Sequence, residues 1–391
     1  MSTIIGNPII LPSGGGTLPS LLVKSNKTGA ICTATNGVDT VTLTEITESR
    51  YWCEVPDYGA WTVTLTKDGE TSSTEVEVTA VELYETDCSF IPEDVNDATW
   101  AQISKVSQAG TGDTYWDVGD TKAITLNGTV GTKSYSNVTL YLFILHFNIP
   151  VNKSTADNNI IWGGFKTAKS GGIDVCLDDD AYGTNPTSGQ KKFNMNHTYT
   201  TSGSESTAGY YGTNYGGWKG TDLRYDVLGA TNTQPSQYNQ KTTSNVGYDA
   251  TQAAITSPLS NTLMAALPSD FRNVLRLWTR WMDSKGNKSN VDANVTSCVD
   301  AGISLLTEFE VFGTRSYANQ YEQNHQIQCA YYVAGNSKVK YRQSSTGTAA
   351  RWWESSAFFN EMRAFCFVYT DGTATGNDAC YAYGLAPAFK T

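Results

Sequence analysis

Glu308 and Glu310 in "LLTEFEVFG" stand two residues apart, so on a strand both carboxylates would share one face, as the acid and base of a glycoside hydrolase require. Acidic pairs on half-exposed strands more often serve as surface or hydrogen-bonding residues, and that is the expectation here. Asp178, Asp179 and Asp180 in "CLDDDAYG" offer hard oxygen ligands suited to calcium but lack the alternating order of a calcium loop, so a solvated acidic turn is expected. Of the three histidines, His146 lies in an apolar run and reads as a core imidazole, His325 lies in the polar "YEQNHQIQ", and His197 follows "KKFNMN". Neither His146 nor His325 has a ligand partner nearby in the sequence. The eight cysteines form no CxxC and no Cys/His pattern of zinc type, which predicts free thiols, with a Cys32–Cys53 bridge as the alternative. The nucleophile elbow, the phosphate loop and the HExxH helix are all missing. We therefore expect no catalytic residue, no cofactor and no metal.

The elements that would carry any site differ along the chain. Residues 1–21, with "PSGGGTLPS", read as a flexible attachment arm. Residues 22–83 run in short β-prone segments. The clearest pair is "WTVTLTKDGETSSTEVEVTAV", where Asp68-Gly69 favours a tight hairpin between two alternating runs. A small all-β, Ig-like sandwich acting as a spacer is expected there. Residues 84–391 form the larger part. A helix is expected to open at Asp94 or Asn96 with Trp100, Ile103 and Val106 or Ser107 on its inner face, and "VTLYLFILHFNI" reads as a buried strand. Two helical segments are expected in "SPLSNTLMAALPSDFRNVLRLWTRWMD". Leu259, Leu263, Met264 and Leu267 would line the first, and Phe271, Val274, Leu275 and Trp278 the second, beyond Pro268. The coarse fold class is α+β.

Composition narrows the partners. Aromatic residues make up 12% of the 391-residue chain and charged residues only 17%, a balance suited to extracellular or virion adhesive proteins. A formal net charge of −11, without a basic cluster, argues against a nucleic-acid partner. The longest apolar run, Leu140 to Ile149, is too short to span a bilayer, and the first twenty residues lack the features of a secretory signal; no membrane insertion is expected.

"GGWKGTDLRYDVLG", "LMAALPSDFRNVLRLWTRWMD", "LLTEFEVFGTRSYANQYEQNHQ", "ARWWESS" and "FCFVYTDGTATGNDACYAYGLAPAF" stand in an order that resembles a domain of unknown function found in gut bacteria and their phages. The resemblance covers most of the chain after about Tyr115. Many members of that group resemble variable proteins of diversity-generating retroelements, with a C-type lectin-like C-terminal fold. It implies a variable region over about 351–391 on a scaffold of Trp218, Trp352, Trp353, Gly372, Gly384 and Pro387. The group's usual "WWLRSP" is "WWESSA" here, which loses a rigid proline and puts the local turn in doubt. Positions between the scaffold residues would face outward and bind ligand: Phe358, Phe359, Asn360, Glu361, Met362, Arg363, Phe367, Tyr369, Asn377, Asp378, Tyr381 and Tyr383. Exposed aromatics with Arg and Asn are the usual material of binding hot spots.

The resulting expectation is a phage receptor-binding or adhesion protein on a virion tail fibre, or alternatively on a bacterial surface. Its partners would be a host cell-surface protein or glycan, and other virion proteins through the N-terminal region. A homo-oligomer, such as a trimer, would supply avidity. The alternatives are a capsid decoration subunit and a lectin-fold enzyme, the latter needing Cys366 and Cys380 as a reactive pair.

Overall fold

The computed structural model describes residues 17–205, 207, 209–235, 247–288 and 290–391. Most of the expected arm lies outside the described residues, and Ser20 and Leu21 already belong to a strand. The chain divides into two compact units, Met1–Pro92 and Glu93–Thr391.

Over its described residues the first unit is all β, in seven strands: β1 (Ser20–Lys24), β2 (Ile31–Thr35), β3 (Thr40–Thr47), β4 (Arg50–Glu54), β5 (Gly59–Lys67), β6 (Glu70–Val78) and β7 (Leu83–Asp87). Their order is β6-β5-β2-β3-β4-β1-β7. The strand β3 pairs with β2 through its first half and with β4 through its second, so one strand joins two ladders. The β5–β6 hairpin closes on Asp68 and Gly69, with φ of 53° and 84°. Positive φ at both central residues is the geometry that the Asp-Gly pair favours. The unit runs past the boundary expected at 83 because β7 pairs in parallel with β1, and Cys88 and Phe90 join its core around Trp61. Cys32 and Cys53 are free, buried thiols there, each pushed up to about 12 by burial.

The second unit mixes strands and short helices, and the chain as a whole is α+β. Its main sheet contains β8 (Thr121–Val130), β9 (Lys133–Phe147) and β10 (Ile160–Lys166). Further along the chain come β11 (Val175–Cys176), β12 (Trp278–Asp283), β13 (Val295–Asp300), β14 (Ile303–Leu305), β15 (Lys340–Arg342), β16 (Ser345–Ala350), β17 (Trp352–Ala357), β18 (Ala364–Val368), β19 (Ala374–Asp378) and β20 (Pro387–Lys390). The main sheet has the order β14-β20-β10-β9-β8, which inserts the last strand of the chain between two earlier ones. Pro387 is tolerated because it opens its strand. The helix Trp100–Ala109 starts one turn later than expected, capped by a reciprocal Thr99–Gln102 box, and buries Trp100, Ile103, Val106 and Ser107.

Three expectations need correction. In place of two helices around Pro268 there are single turns at Leu263–Ala266 and Ser269–Arg272, and Trp278 opens β12. Burial in β12 alternates from Trp278 through Arg280 to Met282, a period of two hidden in the sequence because one inward side chain is an arginine. Glu308 and Glu310 lie on a helical turn, Glu308–Phe312, because Thr307 and Glu310 form a capping box. Asp178 and Asp179 are buried, not a solvated turn. Asp178 accepts hydrogen bonds from Arg342 and Ser344, Asp179 accepts from the Phe193 amide, and Asp180 pairs with Lys192.

Candidate ligand-binding face

The site is built on the small antiparallel sheet β17-β18-β19. All six residues of β17, "WWESSA", are buried, so the strand is interior on both faces and Glu354, Ser355 and Ser356 are core residues. The segment whose turn the missing proline puts in doubt is continuous strand up to Ala357, with a register shift opposite Phe365 and Phe367. Trp352 and Trp353 are fully buried and donate their indole N–H groups to the carbonyls of Lys338 and Phe193, at 3.0 Å each. A β-carbon on Gly384 would lie 2.2 Å from Cys176 Sγ, so only glycine lets these segments pass. Gly372 adopts φ of 86° in the turn after β18. Trp218 is buried and donates to Asp300, which also holds the buried Arg224 at 2.6 Å.

Beneath β17 lies a group of buried acids. The Glu308 carboxylate accepts the amides of Ser316, Tyr317 and Ala318 and thereby shapes the loop "GTRSYAN". Glu310 pairs with Arg280. Glu322 accepts from the Asp283 amide and the Ser356 hydroxyl, and burial raises it to about 8. Glu354 is fully buried, neither of its oxygens has a partner among the described residues, and burial beside Glu308 and Glu322 pushes its carboxyl far above the usual range.

Above this frame, the outward-facing expectation splits. Phe367 and Tyr383 are buried at 4% and 0% exposure, packed on Trp353 with ring centroids 5.8 and 4.8 Å away. Both are floor residues, contrary to expectation, because β18 and the segment before β20 are covered on both sides. Tyr369 is 37% exposed. Asn360 is exposed, while Phe358, Phe359, Glu361, Met362, Arg363, Asn377, Asp378 and Tyr381 are half-buried.

These residues gather in two neighbouring clusters. In the first, Tyr381 stacks on Tyr383, and Arg351 lies 4.9 Å over the Tyr369 ring and 5.5 Å over Tyr383. Arg351 donates to the Tyr383 hydroxyl, which also accepts from Asn377, and the Arg351 amide donates to the Tyr182 hydroxyl. Arg342 extends this cluster, lying 4.5 Å over Tyr182 while pairing with Asp178. In the second, Phe358 stacks on Tyr317 at 5.2 Å and Arg315 lies 5.1 Å over Phe359. The buried Asn214 side chain donates to the carbonyls of Phe358, Glu361 and Ala364 and so fixes the loop that carries Asn360. Between the clusters Arg363 pairs with Asp378 at 2.9 Å, over Tyr210 and Tyr211.

Sequence reasoning missed Tyr182, Arg315, Tyr317, Arg342 and Arg351 in this arrangement. They come from segments far apart in the chain, and no local period marks them. Cys366 and Cys380 are buried, and burial pushes both thiols up, Cys380 to about 12, which opposes the thiolate form that a reactive pair needs. His146 accepts the Ala330 amide, and His325 stacks on Trp281 at 4.5 Å.

Residues 223–390 match the profile of a domain of unknown function, DUF6273, which contributes the site's frame and most of its surface. No curated protein matches the chain. Among solved structures, the Bacillus anthracis TIE protein is similar over 37% of this chain and 27% of that one, at 11% identity and a TM-score of 0.16. No helix among the described residues is long and apolar enough to cross a membrane.

Proposed function

We propose that this chain is an adhesion protein of the receptor-binding kind, whose C-terminal face grips a cell-surface ligand without chemistry. The observation that carries the reading is the juxtaposition of Arg351, Tyr369, Asn377 and Tyr381 on a braced sheet, beside the Arg315–Tyr317–Phe358–Phe359 cluster. Rigid rings with guanidinium groups on their faces supply contact area at low entropic cost, and the polar atoms at their edges give direction. Such a face suits stacking on pyranose rings as well as docking on a protein epitope. The buried floor is what such a face requires, since preorganised side chains spend less of their interaction energy on ordering.

In this reading the second unit is a C-type lectin-like head with a diversified region over about 351–391, and the first is an Ig-like spacer. The natural location is a phage tail fibre or other virion surface, with assembly into a homo-oligomer. The return of the last strand to the middle of the main sheet supports the lectin-like assignment, because it ties the variable segment to the scaffold at both ends. The test is adsorption of fluorescent protein to a panel of gut bacterial cells and to a glycan array. Binding that falls on Tyr369→Ala with Arg351→Ala, at unchanged melting temperature, supports it. Binding to neither probe refutes it.

A further inference from the structure

Away from the ligand-binding face, His197, Asp222 and Asp226 place one ligand atom each within 4.8 Å of the others. The sequence hides this group, because the histidine precedes Asp222 by 25 residues. Asp222 and Asp226 are brought together by a π-helical turn, Leu223–Leu228, whose first amide bonds back to Met195 beside the histidine. Single π turns are concentrated at functional sites.

Hydrogen bonding occupies one polar atom of each residue. His197 Nε2 lies 3.2 Å from the Lys192 carbonyl, a contact that only a protonated Nε2 satisfies. In the neutral ring this leaves Nδ1 as a lone pair. Asp222 spends Oδ2 on the His197 amide at 2.7 Å, and Asp226 spends Oδ1 on Lys191 at 2.5 Å. Among the described residues, His197 Nδ1 and Asp222 Oδ1 make no hydrogen bond, although His197 is 4% and Asp222 1% exposed. Asp226 Oδ2 faces Nδ1 at 3.4 Å. Three acceptor atoms thus converge on one buried point, with no donor among them unless the imidazole is charged. Acceptors left so are costly, and a cation at their centre satisfies all three.

We propose that His197 Nδ1, Asp222 Oδ1 and Asp226 Oδ2 bind a first-row divalent cation of the zinc class. One imidazole and two carboxylates form a mixed nitrogen and oxygen set suited to zinc or manganese, leaving one position for water. The hydrogen bond from Nε2 to a backbone carbonyl is the usual outer contact of a metal-bound histidine. The segment that carries His197 also supplies the Phe193 carbonyl, which accepts from Trp353, and the Asn196 amide, which donates to Ala379. The ion would therefore brace the loop behind the binding face, a structural role separate from ligand contact.

The test is calorimetric titration of metal-stripped full-length protein with ZnCl2, alongside MnCl2 and CaCl2. One Zn2+ per chain is expected, with affinity at least tenfold weaker in Asp226→Asn and His197→Ala, and a Zn2+-dependent rise in melting temperature that both variants lose. Should a variant fold poorly, the visible spectrum of the Co2+-substituted wild type decides, since imidazole ligation gives bands that aqueous Co2+ lacks. Failure of the wild type to take up Zn2+ or Mn2+, or equal uptake by all three proteins, would overturn the proposal. Neither result bears on cell adsorption.

Discussion

Replacing Glu322 by Gln should stabilise the second unit at neutral pH and leave it little changed in acid. Glu322 is fully buried, and burial raises its carboxyl from 4.5 to about 8, with Asp283 and Glu308 adding to the effect. A raised acid binds its proton more tightly in the folded than in the unfolded chain. Its contribution is thus fully present below about pH 4.5 and is lost as pH rises toward 8. At about 1.4 kcal/mol for each pH unit, the wild type forfeits roughly 3 kcal/mol between pH 5 and pH 7.5. Glutamine does not titrate and preserves the local bonds. Its Oε1 accepts from the Asp283 amide as the carboxyl does at 2.8 Å, and its amide nitrogen donates to the Ser356 hydroxyl, 2.7 Å from the carboxyl it replaces. Glu354 sits in both proteins, so its own pH dependence cancels to first order in the difference. Urea unfolding followed by tryptophan fluorescence, at half-unit steps from pH 5 to 7.5, reads the gap directly. A gap widening by about 3 kcal/mol is expected. Parallel curves for the two proteins would refute the claim that Glu322 is a buried, protonated acid.

Other perturbations separate frame from face. Phe367→Ala should cost about 3–5 kcal/mol of stability, as for a large core side chain, whereas Tyr369→Ala should leave the melting temperature within a degree or two and act on binding alone. Gly384→Ala should destabilise strongly because the new methyl meets Cys176 Sγ and the Arg351 carbonyl, while Gly347→Ala, with open space around it, should be silent in the same thermal scan. Arg224→Met would leave Asp300 buried without its ion pair at a cost of about 3–5 kcal/mol, and Arg224→Met with Asp300→Asn, which removes the charge and keeps an acceptor for the Trp218 indole, should recover part of that loss in chemical unfolding.

Much of the local architecture was legible in the sequence, and the reasons are particular. Asp68-Gly69 announced the first unit's hairpin because few residue pairs tolerate two left-handed positions. The strand β9 and the helix Trp100–Ala109 showed themselves by continuous apolar character and by helical spacing. The Thr307-x-x-Glu310 capping box was equally visible, yet the i, i+2 spacing of the two glutamates suggested a strand, and the local cap won. What the sequence could not reveal was burial of polar residues. Arg280 masked the alternation of β12, and Glu354, Ser355 and Ser356 hid a strand that is buried along its whole length. Phe367 and Tyr383 looked like surface aromatics because only tertiary packing covers β18 and the segment before β20 on both sides. The guanidinium groups of Arg315, Arg342 and Arg351, and the His197 group, depend on contacts between segments distant in the chain that no period records.

The central claim is that the Arg351–Tyr369–Asn377–Tyr381 cluster grips a cell-surface ligand. Its most direct measurement is the adsorption isotherm of full-length protein on the cell type it coats best, compared with that of the Arg351→Ala/Tyr369→Ala double variant. The account predicts at least a tenfold weaker half-saturation for the variant, with both proteins melting at the same temperature. Superimposable isotherms from two equally folded proteins would contradict it.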